Sequence, residues 1–426
     1  PANSQKVGLV LSGGGAKGLA HLGVIQALED NNIPIDYITG TSIGAVIGGL
    51  YAIGYSPKEM LELFKSEDFA YWQSGEVQEN YVYSFKKNEP APDIFTMKFG
   101  IKDSLIIETR YFPSSVVDPI QMNLVFFSIF SQATAASKCN FDSLFVPFRC
   151  VASDVYKKEA VVFKNGDLGD AVRASMSFPF VFKPIVINDR LLFDGGIYDN
   201  FPVVPLQRDF NPDFIIGSNV AANPSKPNDR NMTLQLQNMI IQHTDYSIKS
   251  DSSLLIDFEI ESVKLLDFYR ADELFQIGYD KTLEKIPELK KKIKREVDTL
   301  DLQASRQKYR DSLPELKFKN IIIKGVNNFQ KKYISNAIQE DNDFITLEQF
   351  KSGYFKLLAD KKISEIIPHA VYNEQENCFD LLLNVKLEDE VLFSIGGNIS
   401  SSVANEAYFG LNYQALSSFG LDFDLS

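Results

Sequence analysis

Two short glycine-rich turns near the start constrain this chain more than any other feature: Ser12-Gly13-Gly14-Gly15-Ala16-Lys17-Gly18 and Gly40-Thr41-Ser42-Ile43-Gly44. Each follows a short apolar run and opens a helical pattern, so each reads as a strand-turn-helix corner at one edge of a sheet. The second fits G-x-S-x-G, in which glycines let the backbone bend sharply around a serine and hold its hydroxyl out for attack. The first offers three consecutive residues without a Cβ, whose N–H groups can converge at the start of the next helix, a cluster suited to an oxyanion. Two plainer readings compete. Gly13 to Gly18 also matches the dinucleotide fingerprint G-x-G-x-x-G, but Asp36-Tyr37-Ile38-Thr39 runs straight into the Gly40 turn, where that fingerprint wants a ribose-binding acid. Ser42 also fits a helix N-cap, although its flanking glycines favour the elbow.

A partner for Ser42 stands in Arg190-Leu191-Leu192-Phe193-Asp194-Gly195-Gly196, where an apolar strand ends in an aspartate with room around it. A simple Asp-Gly turn is the alternative. With Ala171-Val172-Arg173-Ala174-Ser175-Met176-Ser177-Phe178-Pro179 between them, these motifs follow the order of the patatin-like phospholipases, which the chain resembles over roughly residues 7 to 310. The resemblance implies Ser42 as nucleophile, Asp194 as its base and Gly13, Gly14 and Gly15 as oxyanion hole. It implies a phospholipid or other lipid ester as substrate, an acyl-enzyme intermediate, and no cofactor or metal. Lys17 stands where the family has a basic residue, more often arginine; a solvated lysine at a helix start is the alternative. His21 fits the pattern Gly-x-x-His-x-Gly-Val as a structural histidine. A carboxylate of pKa about 4 is a weak base for a serine hydroxyl, so Asp194 is expected to be partly buried. The alternative within the class is a Ser42-Asp194-His243 triad. Only His243 and His369 follow Asp194, His243 in a stretch read as helical, Gln235 to Ser250, and His369 in another domain.

The 426 residues, 45% hydrophobic and 12% aromatic, supply cores for two or three domains. A formal net charge of -13 argues against a nucleic-acid partner and gives no general attraction to anionic lipid. Cys139, Cys150 and Cys378 cannot all pair with one another. The pattern shows no transmembrane helix, and Pro1 to Lys6 is a polar lead-in that suits an end left by removal of a signal. Strand Val7 to Leu11, helix Gly18 to Asn31, strand Tyr37 to Thr39 and helix Ile43 to Ile53 predict α/β architecture: a patatin-like three-layer domain with a mostly parallel central sheet over 1–312. Within it, Tyr71 to Phe99 reads as irregular or hairpin-forming. Leu124 to Phe130 reads as a buried helix or the apolar wall of an acyl site. Leu265 to Tyr279 and Thr282 to Leu300 read as two closing helices.

Beyond a boundary near Arg306 to Pro314, residues 315–388 carry a β-α-α-β-β order that resembles a small α+β POTRA domain. From 390 to 426, apolar residues alternate with small or polar ones in three segments separated by Gly, Asn and Ser, the pattern of the first antiparallel strands of an outer-membrane β-barrel. A soluble three-stranded sheet is the alternative. Three strands cannot close a barrel, so a longer protein is expected, resembling the autotransporter-like patatin proteins of Gram-negative bacteria. The expected location is the bacterial outer membrane, reached through the barrel, with the hydrolase domain periplasmic or on the cell surface; homo-oligomerisation stays open. The alternative function is an inert passenger of a POTRA-barrel secretion or binding module, against which the intact Ser42, Asp194 and glycine turn speak.

Overall fold

The uncharged run Val7–Leu11 forms a strand buried along its whole length, as a parallel sheet covered on both faces requires. The structure is a computed structural model that describes residues 5–78, 93–99, 115–230, 232–260, 262–339, 343–359, 362–388, 391–398, 406–417 and 420–425. The chain divides into two units, Pro1–Ser74 with Ile129–Pro314, and Gly75–Ser128 with Glu315–Ser426.

In the first unit an eight-stranded sheet runs in the order Ser253–Asp257, Phe214–Asn219, Val7–Leu11, Tyr37–Thr41, Phe148–Asp154, Arg190–Asp194, Ile185–Ile187, with Glu159–Phe163 also paired to Phe148–Asp154. The first five strands are parallel, and the rest join antiparallel. Helices cover both faces. Gly8 faces Leu206 of helix Val203–Phe210, while Gly48 of helix Ile43–Ala52 faces Ile38 and Phe148. Val10, Leu206 and Ile215 share one buried cluster, and each such aliphatic side chain stabilises the fold by about 1.5–3 kcal/mol.

The glycine-rich turn tightens into a 3-10 turn, Gly15–Leu19, before the helix Ala20–Asp30. That helix crosses Ala271–Lys292 at two glycines: a Cβ on Gly23 would meet the Phe275 carbonyl at 1.9 Å, and one on Gly278 the Ala20 carbonyl at 1.9 Å. Ala271–Lys292 is continuous where the sequence predicts a break between Tyr279 and Thr282. Thr282 is buried and donates its hydroxyl to the Gly278 carbonyl, which absorbs it into the helix. The next helix, Thr299–Asp311, starts at Asp298, whose side chain accepts from the Leu300 and Asp301 amides. Arg306 on this helix pairs with Glu29 at 2.6 Å, both 6% exposed.

In the second unit, strand Lys317–Lys324, helix Asn328–Ile338, helix Leu347–Leu358 and strands Ile363–Asn373 and Cys378–Leu387 follow the expected order, with a short additional strand Ile345–Thr346. Asn327 and Thr346 each close a reciprocal cap with the glutamine three residues on. Phe318, Phe350 and Phe379 form the core. Residues 75–128, counted within 1–312 from sequence, group here. Phe127 of helix Ile120–Ala136 stacks on Phe318 at 5.6 Å, so the uncharged stretch is buried helix. Strand Asp93–Phe99 pairs antiparallel with Val391–Asn398, extending the sheet of Val391–Asn398, Glu406–Leu416 and Gly420–Leu425 to four strands. Of the stretch read as irregular or hairpin-forming, residues 79–92 lie outside the described residues, as do residues 1–4 of the lead-in and residue 426.

Candidate active site

Val7–Leu11 and Tyr37–Thr41 run side by side in one direction, so both glycine-rich turns open at the same C-terminal edge of the sheet. Ser42 follows the second strand at φ 56 and ψ -124, a backbone conformation that costs on the order of 1–3 kcal/mol and persists only where the surroundings enforce it. They do so here. The Ser42 N–H donates to Ser175 Oγ at 3.0 Å, and the Ser175 hydroxyl donates to the Val151 carbonyl at 2.6 Å. Sequence reasoning quoted Ser175 only as part of a motif. Its Ala-Ser-Met-Ser setting is the one signal that marked the region, and its contact with the elbow is made through the fold.

Asp194 ends its strand opposite Ala152. The Ser42 hydroxyl donates to Asp194 Oδ2 at 2.6 Å, and the Gly196 N–H donates to Oδ1 at 2.7 Å. Asp194 is 2% exposed. Burial pushes its carboxyl up to about 6, against the opposing pull of the Ser42 and Gly196 hydrogen bonds. The segment beyond it is tied to the elbow strand: Thr41 Oγ1 donates to the Asp199 carbonyl at 2.8 Å and Thr39 Oγ1 to the Pro202 carbonyl at 2.9 Å.

The glycine-rich turn leaves fewer amides free than its three glycines suggest. The Gly13 N–H donates to the Asn200 carbonyl at 3.1 Å, which takes it out of the set facing an anion. Gly14 and Gly15 have φ 154 and 59, which side chains rarely adopt, are half-buried, and have amides without a hydrogen-bond partner among the described residues. His21 lies behind the turn. Its Nε2 meets the Ser12 carbonyl at 3.0 Å and its Nδ1 the Ser218 hydroxyl at 2.7 Å. Burial lowers its pKa to about 4, so a neutral ring holds Ser12 in place. Lys17 is half-buried on the Gly15–Leu19 turn.

The histidine alternatives fall elsewhere. The helix expected around His243 ends at Ile240, because Gln242 is drawn off to donate its N–H to the Ile197 carbonyl. His243 is exposed, and among the described residues it makes no hydrogen bond with Ser42 or Asp194. Asp194 already holds Ser42 directly, leaving no gap for an imidazole between them. His369 lies on Ile363–Asn373 in the second unit, facing Asn384. Among the described residues no cluster of three His, Cys, Asp or Glu is arranged to hold a metal.

Residues 9–206 match the family model described as patatin-like phospholipase. The chain is also similar to NTE family proteins. An uncharacterized NTE family protein of Mycobacterium tuberculosis is 29% identical over 259 residues, 60% of this chain and 61% of that protein. The lysophospholipase NTE1 of Kluyveromyces lactis is 27% identical over 305 residues, 65% of this chain and 19% of that protein. The chain therefore spans less than two thirds of either relative. Among solved structures, VipD from Legionella pneumophila aligns with a TM-score of 0.34 at 15% identity over 67% of each chain. The ExoU–SpcU complex of Pseudomonas aeruginosa aligns at 0.33 and 15% identity, over 84% of this chain and 66% of that one.

Proposed function

We propose that this chain is a lipid acyl hydrolase that cleaves carboxylic esters through Ser42 and Asp194. The observation that carries the reading is the 2.6 Å hydrogen bond from a strained serine to a buried carboxylate. In this mechanism Ser42 Oγ attacks the ester carbonyl as its proton passes to Asp194 Oδ2. The Gly14 and Gly15 amides take the developing oxyanion. Collapse breaks the bond to the alcohol, which leaves with the proton from Asp194. Water then gives a proton to Asp194 and attacks the acyl-enzyme, releasing the fatty acid and returning the proton to Ser42. The family match and the name lysophospholipase carried by a relative support a lipid ester as substrate.

The test is fatty-acid release from mixed phospholipid vesicles by the chain, Ser42→Ala and His243→Ala. Release lost only with Ser42→Ala supports the dyad; equal loss in both supports the triad, and no release by any of them overturns the reading in favour of an inert passenger.

We further propose that residues 315–388 act as a POTRA domain and that 390–426 begin a membrane barrel, which places the hydrolase at an outer membrane. The alternating exposure of Phe409, Leu411 and Tyr413, with exposed Phe423 opposite Tyr413, supports a lipid-facing surface.

A further inference from the structure

Helix Met232–Ile240 contains no charged residue, and it presents Met232, Leu236 and Met239, 73%, 37% and 78% exposed, at helical spacing i, i+4, i+7. These three form one narrow apolar stripe. Polar neighbours hold the helix to the loop before it: Gln235 Nε2 donates to the Asn228 carbonyl and Asn238 Nδ2 to the Ser225 carbonyl. The stripe is therefore fixed in place and left uncovered among the described residues.

Its position is also fixed. Strand Phe214–Asn219 lies parallel to Val7–Leu11, and the helix follows its C-terminal end, the edge on which Ser42 and the oxyanion turn open. The chain beyond the helix is bonded to the site itself, Gln242 N–H to the Ile197 carbonyl and Asn200 Nδ2 to the Tyr246 hydroxyl.

We infer that this helix is the element by which the hydrolase unit seats itself on a zwitterionic phospholipid surface. The inference rests on the lipid-ester reading of the site and adds the surface through which the substrate is reached. The charge pattern selects the occupant: a net charge of -13 gives the chain no general attraction to anionic lipid, while a helix with thioether and aliphatic side chains and no charge of its own offers an interface apolar area and no counter-charge.

The test is flotation with dioleoylphosphatidylcholine vesicles, using the full chain with Ser42→Ala to suppress turnover and Phe409→Ser and Leu411→Ser to silence the C-terminal sheet. The expected result is binding that persists at high salt and weakens by on the order of tenfold or more in Met232→Gln with Met239→Gln. Met232→Leu with Met239→Leu restores it. In the otherwise unmodified chain, the glutamine pair slows vesicle hydrolysis and leaves hydrolysis of a water-soluble short-chain ester at its original rate. Binding unchanged by the glutamine pair, or abolished by salt, overturns the inference. So does self-association lost in the glutamine pair while vesicle binding stays, which makes a second copy the occupant. Because binding is read without turnover, a chain that binds and never hydrolyses contradicts the lipid-ester reading alone.

Discussion

Asp194 sits where its charge costs most, and that cost is the source of its basicity. Its carboxyl is pushed up to about 6 by burial, above the unfolded range near about 4. Only the ionised form can accept the Ser42 proton, so kcat/KM should rise as pH climbs through about 6 and level off above it. A profile flat from about pH 5 to 8 contradicts this. The linkage runs the other way for stability. A carboxyl with a raised folded pKa is penalised in full above pH 6, and the penalty fades as pH falls toward the unfolded value. Asp194→Asn should therefore raise stability at neutral pH by about 1–3 kcal/mol while lowering kcat by roughly 10²–10⁴; thermal unfolding and turnover of the same preparation check both. The pairing of Ser42 with Asp194 was legible because Gly-x-Ser-x-Gly and Asp-Gly-Gly are local. That Gly13 spends its amide on Asn200, and that Ser175 braces the elbow, were not legible, because both contacts exist only after distant segments meet.

Among the elements, the alternation of apolar runs with helical patterns gave the parallel sheet directly, and the order of residues 315–388 matched strand for strand apart from Ile345–Thr346. The misreading of Ala271–Lys292 has a clear cause. Thr282 is a poor helix former by propensity, but its hydroxyl bonds back to Gly278 within the crossing with Ala20–Asp30, and tertiary packing outweighs local preference. Gly278→Ala should cost about 2 kcal/mol or more, since the added Cβ meets a rigid backbone carbonyl; urea denaturation measures it, and an unchanged midpoint would mean the helices separate freely. The Glu29–Arg306 pair closes the same unit. Arg306→Ala strands a buried carboxylate and should cost about 3–5 kcal/mol, more than replacing both partners with methionine.

At the scale of the whole molecule, the linear domain division missed that strand Asp93–Phe99 pairs with Val391–Asn398. No local pattern announces a partner so far along the chain, because a strand's alternation fixes which face it buries and not which strand it joins. The terminal meander was legible because its alternation has period two. Phe409, Leu411, Tyr413 and Phe423 remain exposed, a row of apolar side chains that associates in water. Phe409→Ser, Leu411→Ser and Tyr413→Ser together should lower detergent-free aggregation, followed by light scattering; unchanged scattering would show that this face does not drive association.

The most direct test of the central claim is covalent trapping with a lipid-like fluorophosphonate, read by peptide mass spectrometry. The account predicts a single adduct on Ser42, absent in Ser42→Ala, formed much more slowly in Asp194→Asn, and at the original rate in His243→Ala. An adduct on another serine, or a rate that falls with His243 and not with Asp194, would contradict it.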